Sequence, residues 1–261
     1  MTVDLLQMFR RFKGVISTAS EAELRSDPTL AGRLLIARDG QLTVSYAPFD
    51  HVTTNARVVI VGITPGAQQA TNALLSARAG VLAGRSDVET LAAAKVFASF
   101  SGPMRSNLVA MLDHIGLSAR IGVGSCASLW GADSARVHFT SALRYPVFLG
   151  GANYSGQPSM TSTPTLRAVL HEYLAAEAKT LGQAVWVPLG SRAAEGVREM
   201  VRIGRASAAQ VLEGLPHPSG ANAERIAYFL GRKERAALSV KTNASELDRV
   251  REKLMAAVAA L

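Results

Sequence analysis

Apolar residues follow two spacings along the chain, and together they predict a mixed α/β protein. Spacing typical of helices covers residues 4–16, 19–37, 67–83, 87–99, 103–115, 164–180, 191–203, 221–235 and 244–259. Apolar, β-branched runs predict strands at Gln41–Tyr46, Arg57–Gly62, Arg136–Leu143, Ala184–Leu189 and Ala209–Leu215. Strands separated by helices favour a parallel sheet covered on both faces. We therefore expect a three-layer α/β/α fold with a central, mainly parallel four-stranded sheet.

The pattern contains no internal repeat, no low-complexity linker and no point of division. We expect a single domain over 1–261, with an N-terminal helical extension (1–50), a core (57–235) and a C-terminal helix (244–259). The stretch Phe148–Thr163 is rich in Gly, Ser, Pro and Thr and predicts a long surface loop. Hydrophobic residues make up 48% of the 261 residues, which supplies a sizeable core and excludes intrinsic disorder.

Composition also limits the expected cellular location of the protein and the cofactors that it can bind. The longest apolar stretches, such as Leu91–Ser99 and Met255–Leu261, fall far short of the ~20 residues that cross a bilayer. The first residues include Asp4 and no long apolar run, so they do not resemble a secretion signal. The single cysteine, Cys126, excludes an internal disulfide and a four-cysteine iron–sulfur site. We expect a cytoplasmic protein with no membrane association, metal or cofactor.

The formal net charge of +8 comes from two segments of the chain. Residues 51–145 carry eight basic and four acidic side chains, and residues 191–241 carry nine and five; the other segments are balanced. An arginine-rich genome explains such an excess equally well. If the two segments meet in the fold, they form one basic face, which suits a polyanion such as nucleic acid.

Two loops at predicted strand ends carry candidate chemistry. The first is Gly62-Ile63-Thr64-Pro65-Gly66, where glycines let a ligand approach the backbone and Thr64 can hold a water or a substrate oxygen. The second contains His217, between Pro216 and Pro218. Its rigid backbone can aim an imidazole that donates to a developing anion. Each loop alone is also compatible with a purely structural role.

As a pair, GITPG and His217-Pro218-Ser219 resemble motifs of the uracil-DNA glycosylase superfamily, over a region from Arg57 to Arg235. The resemblance implies a hydrolase that flips a base out of DNA and cleaves its N-glycosidic bond. It implies that His217 stabilises the departing base, Thr64 positions water, and Phe100 stacks on the base. Ser141, or Thr140 in a shifted register, takes the place of a base-reading asparagine. It also implies substrate contacts from Gly62, Ile63, Pro65 and Gly66, and a phosphate contact from Ser219. By position, Gln69 and Arg144 are candidates either for DNA contacts or for structural roles, and Asn222 and Arg225 are further candidates for DNA contacts.

Four departures from the family pattern bear on the substrate. Thr64 replaces the aspartate or asparagine common in active members, and Ser141 replaces the base-reading amide. Gly66 replaces the tyrosine that excludes C5 substituents, and Ala221 replaces the leucine that fills the gap left by the flipped base. We expect either excision of a uracil-related or modified base, such as a 5-substituted pyrimidine, or a catalytically weak or inactive member that still binds nucleic acid. A reaction on another nucleoside and a protein-interaction scaffold are further alternatives.

Overall fold

The structure is a computed structural model that describes residues 6–98 and 103–261. Its helices are α1 (Gln7–Thr18), α2 (Glu21–Ser26), α3 (Ala67–Leu82), α4 (Asp87–Ala98), α5 (Pro103–His114), α6 (Leu117–Ile121), α7 (Pro164–Val169), α8 (Ala175–Thr180), α9 (Gly190–Arg202), α10 (Ala223–Phe229) and α11 (Ala244–Ala260). A π-helical segment, Leu170–Leu174, joins α7 to α8. Its strands are β1 (Leu35–Asp39), β2 (Leu42–Ser45), β3 (Val58–Gly62), β4 (Val137–Ser141), β5 (Val147–Leu149), β6 (Ala152–Asn153) and β7 (Val185–Pro188).

The strands form two sheets, so the chain is a mixed α/β protein as expected. One sheet has the order β1-β2-β5-β6 with antiparallel neighbours. The other is parallel and has three strands in the order β4-β3-β7. The expected four-stranded parallel sheet is therefore not confirmed, and the antiparallel sheet was not expected. The described residues divide into two compact units.

The first unit contains residues 6–54, 62–98 and 139–180. Its interior is rich in aromatic residues: the rings of Phe12 and Tyr46 stack at 4.8 Å, and Tyr145 meets Tyr173 edge-on at 4.9 Å. Helix α3 packs along α4 through small buried residues, and both helices begin and end close to the sequence prediction. The antiparallel sheet also belongs to this unit.

The second unit contains residues 55–61, 103–138 and 181–261. Val58–Val61 of β3 pair in register with Val185–Pro188 of β7, and these strand residues are buried. Such a continuous apolar run is what a strand covered on both faces requires. Helix α9 packs against β7, with Ala193, Val197 and Met200 buried, while Arg198 and Arg202 are exposed.

The helix predicted over 19–37 is wrong beyond Ser26. Pro28 disfavours the α conformation at Asp27, the residue before it. The Asp27 carboxylate then accepts hydrogen bonds from the backbone N–H groups of Thr29 and Ala31, which fixes a turn. The chain therefore leaves the helix and enters β1. The segment before residue 50 is not purely helical, because it contributes two strands of the antiparallel sheet.

Two predicted elements near the C-terminus are shorter than expected. At the predicted fourth strand, residues 208–210 form a 3-10 turn, and only Val211 makes a parallel bridge, to Trp186. The helix predicted over 221–235 is reduced to α10. After α10 the chain turns back, so that Glu224 accepts hydrogen bonds from Lys233, Ser239 and Thr242.

The stretch predicted as a long loop, 148–163, begins with a hairpin. Strands β5 and β6 pair through Phe148 with Asn153 and Leu149 with Ala152. Gly150 and Gly151 connect them, with φ of +57° and +82°. A two-residue turn between right-twisted strands needs positive φ at both positions, which glycine adopts without strain. The sequence signal for this hairpin was the Gly-Gly pair, and we interpreted it only as part of a loop.

Candidate active site

Strands β3 and β4 end side by side within the first unit. The N–H of Ala142 donates to the carbonyl oxygen of Gly62 at 2.8 Å, and that of Leu143 donates to Ile63 at 3.0 Å. The GITPG motif thus starts next to Ser141. Ser141 is half-buried, whereas Thr140 is buried and its hydroxyl makes no hydrogen bond in the described part of the chain.

Thr64 is engaged with the protein backbone. Its hydroxyl donates to the carbonyl oxygen of Tyr145 at 2.9 Å and accepts from the N–H of Val147 at 3.0 Å. A hydroxyl has one proton and two lone pairs, so only one lone pair remains for water or substrate. Thr64 therefore fastens the start of β5 to the motif loop. This role was not expected from the sequence.

The motif ends where helix α3 begins. Pro65 is buried, and Gly66 is the residue before the first turn of α3. Gln69, expected to contact DNA, instead accepts from the N–H of Gly66 at 3.1 Å and donates to the carbonyl oxygen of Ala98. Its amide thus caps α3, and the DNA contact expected of it stays a prediction.

Asn153 of β6 reaches the same helix end. Its Oδ1 accepts a hydrogen bond from the N–H of Ala67 at 2.9 Å, across 86 residues of sequence. No pattern in the sequence indicated this hydrogen bond of Asn153. Its only signal was a polar residue in the predicted loop, which does not indicate where a loop folds back.

Arg144 was expected at the DNA surface, but it lies in the interior of the first unit. Its side chain is 2% exposed and forms an ion pair with Glu177 at 2.6 Å. A buried guanidinium that is already paired cannot contact a DNA phosphate without breaking this pair. The position after a strand end, from which we expected a surface contact, does not reveal burial.

A wider buried polar network surrounds Arg144. Asp50 accepts hydrogen bonds from the hydroxyls of Tyr46 at 2.7 Å and Tyr145 at 2.5 Å. Burial raises the pKa of Asp50, although the hydrogen bond from Tyr145 and the charge of Arg144 oppose the rise. Lys95 donates to two backbone carbonyls, and burial lowers its pKa to about 8. We interpret the network as the framework that holds the Thr64–Tyr145 contact in place.

In the second unit, His217 lies half-buried between two buried prolines. Gly190, at the end of β7, lies beside its ring: a Cβ at position 190 would stand 3.5 Å from the His217 Cβ and 3.7 Å from its Cδ2. Gly190 also has φ of +82°, which side chains rarely adopt. The positive φ therefore favours glycine at this position, where α9 begins beside the imidazole.

Hydrogen bonds around His217 determine which ring nitrogen carries the proton. Its Nδ1 receives the backbone N–H of Ser219 at 3.3 Å and lies 3.0 Å from the Ser219 hydroxyl. Because a backbone N–H can only donate, Nδ1 has to accept it; the Ser219 hydroxyl then donates to Nδ1 as well, while its oxygen accepts from Asn222. Nδ1 is therefore an acceptor, and the ring proton sits on Nε2. Burial lowers the pKa of His217, which favours this neutral form.

Ser219 and Asn222, both expected to contact DNA, are thus occupied in orienting His217. Asn107 of α5 adds a further support, because its amide donates to the carbonyl oxygen of Pro218 at 2.9 Å. Asn107 lies 111 residues away from Pro218 in sequence, and no local pattern indicated the pairing. Arg225 is exposed on α10 and remains a candidate for a DNA contact.

Two arginines of α9 are paired with acidic side chains. Arg202 binds Glu199 at 2.6 Å, and Arg198 forms an ion pair with Glu213. Phe100, the expected stacking residue, lies outside the described residues. Within those residues, no helix is long and apolar enough to span a bilayer. The same residues contain no group of three His, Cys, Asp or Glu side chains arranged for a metal ion.

Comparison with known proteins places these loops in a family. A sequence profile described as the uracil DNA glycosylase superfamily matches residues 49–239, a range that includes both motifs. The uncharacterized protein YoxB of Bacillus subtilis (strain 168) is 33% identical over 240 residues, which cover 91% of this chain and 92% of YoxB. No solved structure matches significantly. The resemblance expected from the two motifs is confirmed, and the chain belongs to the uracil DNA glycosylase superfamily.

Proposed function

We propose that this protein is a DNA glycosylase-like hydrolase that cleaves the N-glycosidic bond of a flipped, uracil-related or modified base. Membership of the superfamily supports a glycosylase-like activity with DNA as partner. The observation that carries the proposal is the state of His217. It is a neutral imidazole on a rigid loop, with Nδ1 held as an acceptor and Nε2–H as a donor.

The proposed reaction needs such a donor. As the bond between C1′ and the base nitrogen breaks, its electron pair goes to the base and the sugar becomes oxocarbenium-like. The Nε2–H of His217 then stabilises the negative charge on the base. Water adds to C1′ and releases its proton to solvent. A dissociative reaction of this kind does not require a strong base beside the water.

Thr64 serves this reaction as a positioning residue. Its proton is donated to Tyr145, so it cannot act as a general base without losing that contact. Its remaining lone pair accepts a hydrogen bond from the attacking water. We further propose that Gly62, Ile63, Pro65 and Gly66 border the base, that Ser141 contacts its edge and that Phe100 stacks on it. The exposed guanidinium of Arg225 contacts phosphate.

Oligonucleotides provide the test. Single- and double-stranded substrates carrying uracil, mismatched thymine or 5-substituted pyrimidines are incubated with protein, and alkali then cleaves any abasic sites. We expect abasic sites for at least one base, and their loss with His217→Ala. His114→Ala, which removes an exposed histidine of α5, is the matched control. Release of no base from the panel, or equal release by His217→Ala, contradicts the proposal.

One observation favours the alternative of a DNA-binding member without catalysis. The Thr64 hydroxyl is already bonded to two backbone groups, which weakens its hold on a water. This alternative predicts DNA binding that weakens with salt and produces no abasic sites in the same panel.

A further inference from the structure

The β5–β6 hairpin is attached to the GITPG loop at two points. At its start, the Thr64 hydroxyl bonds the carbonyl oxygen of Tyr145 and the N–H of Val147. At its other strand, Asn153 accepts the N–H of Ala67. Phe148 pairs with Asn153 across the hairpin, so the two attachments fix one rigid unit. The hairpin is thus part of the motif loop's surroundings and not a free surface loop.

The partner of Asn153 determines how its amide is oriented. Ala67 offers an N–H, which only the oxygen Oδ1 can accept, so Nδ2 lies on the other side of the amide. Asn153 is exposed, and Nδ2 makes no hydrogen bond to any described residue. This nitrogen would be 3.5 Å from a Cβ at Gly66, which places it directly beside the motif.

An amide held in this way distinguishes between base edges. The N–H groups of Nδ2 can donate to a keto oxygen, but they cannot pair with an exocyclic amino group, which is itself a donor. Ser141, proposed above to contact the base edge, has a hydroxyl that donates or accepts equally well. Of these two side chains, Asn153 is therefore the one able to select.

We propose that Asn153 is a specificity-determining residue whose Nδ2–H donates to a keto oxygen of the bound base. The inference rests on the proposed function and extends it. It predicts that the protein prefers bases with a keto oxygen at the edge facing the hairpin. Bases with an amino group at that edge should be poorer substrates. The amide is supplied by a hairpin held on the motif loop, and not by the end of β4.

Asn153→Asp tests the donor while keeping the anchor. A carboxylate oxygen still accepts the N–H of Ala67, and a negative charge is favourable at the start of α3. Only the Nδ2–H donors are lost. We expect kcat/KM for release of a keto base from single-stranded DNA to fall by about 10-fold or more, with no fall in Tm.

Asn243→Asp is the matched control for charge. Asn243 caps α11 by accepting the N–H of Glu246 at 3.1 Å, so the same substitution adds the same charge at another helix start. We expect wild-type rates for this variant. Wild-type rates for Asn153→Asp, or an equal fall for both variants, would overturn the inference.

A binding measurement separates this inference from the proposed function. The side-chain amide signal of Asn153 is followed by NMR with a uracil-containing single strand and with the same strand carrying an abasic analogue. We expect the signal to move only when the base is present. Movement without base release upholds Asn153 as a reader of the base and refutes the glycosylase. Base release without movement of the signal upholds the glycosylase and refutes Asn153 as a reader of the base. If neither is observed, both proposals are refuted.

Discussion

The Ser219 hydroxyl lies 3.0 Å from Nδ1 of His217, and the backbone N–H of the same serine lies 3.3 Å from that nitrogen. One residue thus supplies two donors to a single ring nitrogen. A proton on Nδ1 would face both donors, so protonation of the ring has to break this arrangement. The proton on Nε2 is left free for chemistry.

This arrangement predicts that His217 titrates below pH 6.5, its usual pKa, because burial disfavours the charged ring. The unfolded chain then binds the proton more readily than the folded protein. The stability due to His217 is full above about pH 6.5 and is lost as pH falls toward the lowered pKa. Urea unfolding between pH 7.5 and 5 measures the slope, and His217→Asn should make it shallower. A ring that NMR finds titrating above pH 6.5 contradicts this prediction.

Gly190→Ala should disturb His217 as well as the backbone. The φ of +82° costs an alanine about 1 kcal/mol, and the new methyl meets the imidazole. Gly84→Ala is the control, since Gly84 has φ of +69° with no atom within 4 Å of its Cβ position. Both variants should lose similar stability in urea, but only Gly190→Ala should shift the His217 ring signals. Unshifted ring signals would show that Gly190 does not contact the imidazole.

Thr64→Val should loosen the β5–β6 hairpin. Valine keeps the shape of threonine but leaves the buried carbonyl of Tyr145 and N–H of Val147 unpaired, at a cost of about 1–3 kcal/mol. We expect faster hydrogen exchange at Val147 and a lower free energy of unfolding. Thr64→Ser retains the hydroxyl and should restore both. If serine and valine behave alike, the hydroxyl does not hold the hairpin.

Arg144→Ala should destabilise the first unit without a specific effect on DNA binding. It removes the buried guanidinium that pairs with the Glu177 carboxylate, at a cost of about 3–5 kcal/mol, whereas Arg144→Met with Glu177→Leu should recover most of it. Arg225→Ala should leave Tm unchanged and weaken DNA binding instead. The slope of log affinity against log salt concentration should fall by about 0.7 in magnitude for a single strand. If the variant with both Arg144→Met and Glu177→Leu also shows a reduced salt dependence of DNA binding, Arg144 contacts DNA after all.

Periodic apolar runs predicted the parallel strands and the long helices well, because burial on one or both faces is recorded in the residues themselves. β3 and β7 lie within one residue of the predicted runs. The antiparallel sheet was missed because β1 has mixed polarity and β6 is only two residues long. Pairing with a partner strand, and not local pattern, makes these segments strands.

The two motifs and the family could also be predicted from the sequence, but the hydrogen bonds of several site side chains could not. Gln69 and Arg144 look like surface residues in sequence, and only the fold shows their partners. The partners of Asn153 and Asn107 were missed for the same reason, since each bonds to a backbone group more than 80 residues away. Residue type gives donors and acceptors, whereas tertiary structure decides where they are used.

The attachments of the β5–β6 hairpin have a consequence for the order of folding. Thr64 and Tyr145 are 81 positions apart, and Ala67 and Asn153 are 86 apart. Contacts between such distant segments form slowly, because the entropy cost of closing a long loop precedes the gain from any hydrogen bond. The GITPG loop therefore acquires its hairpin only after the chain through Asn153 has been synthesised. A nascent chain that ends before residue 145 contains the motif in full but neither of its attachments to the hairpin.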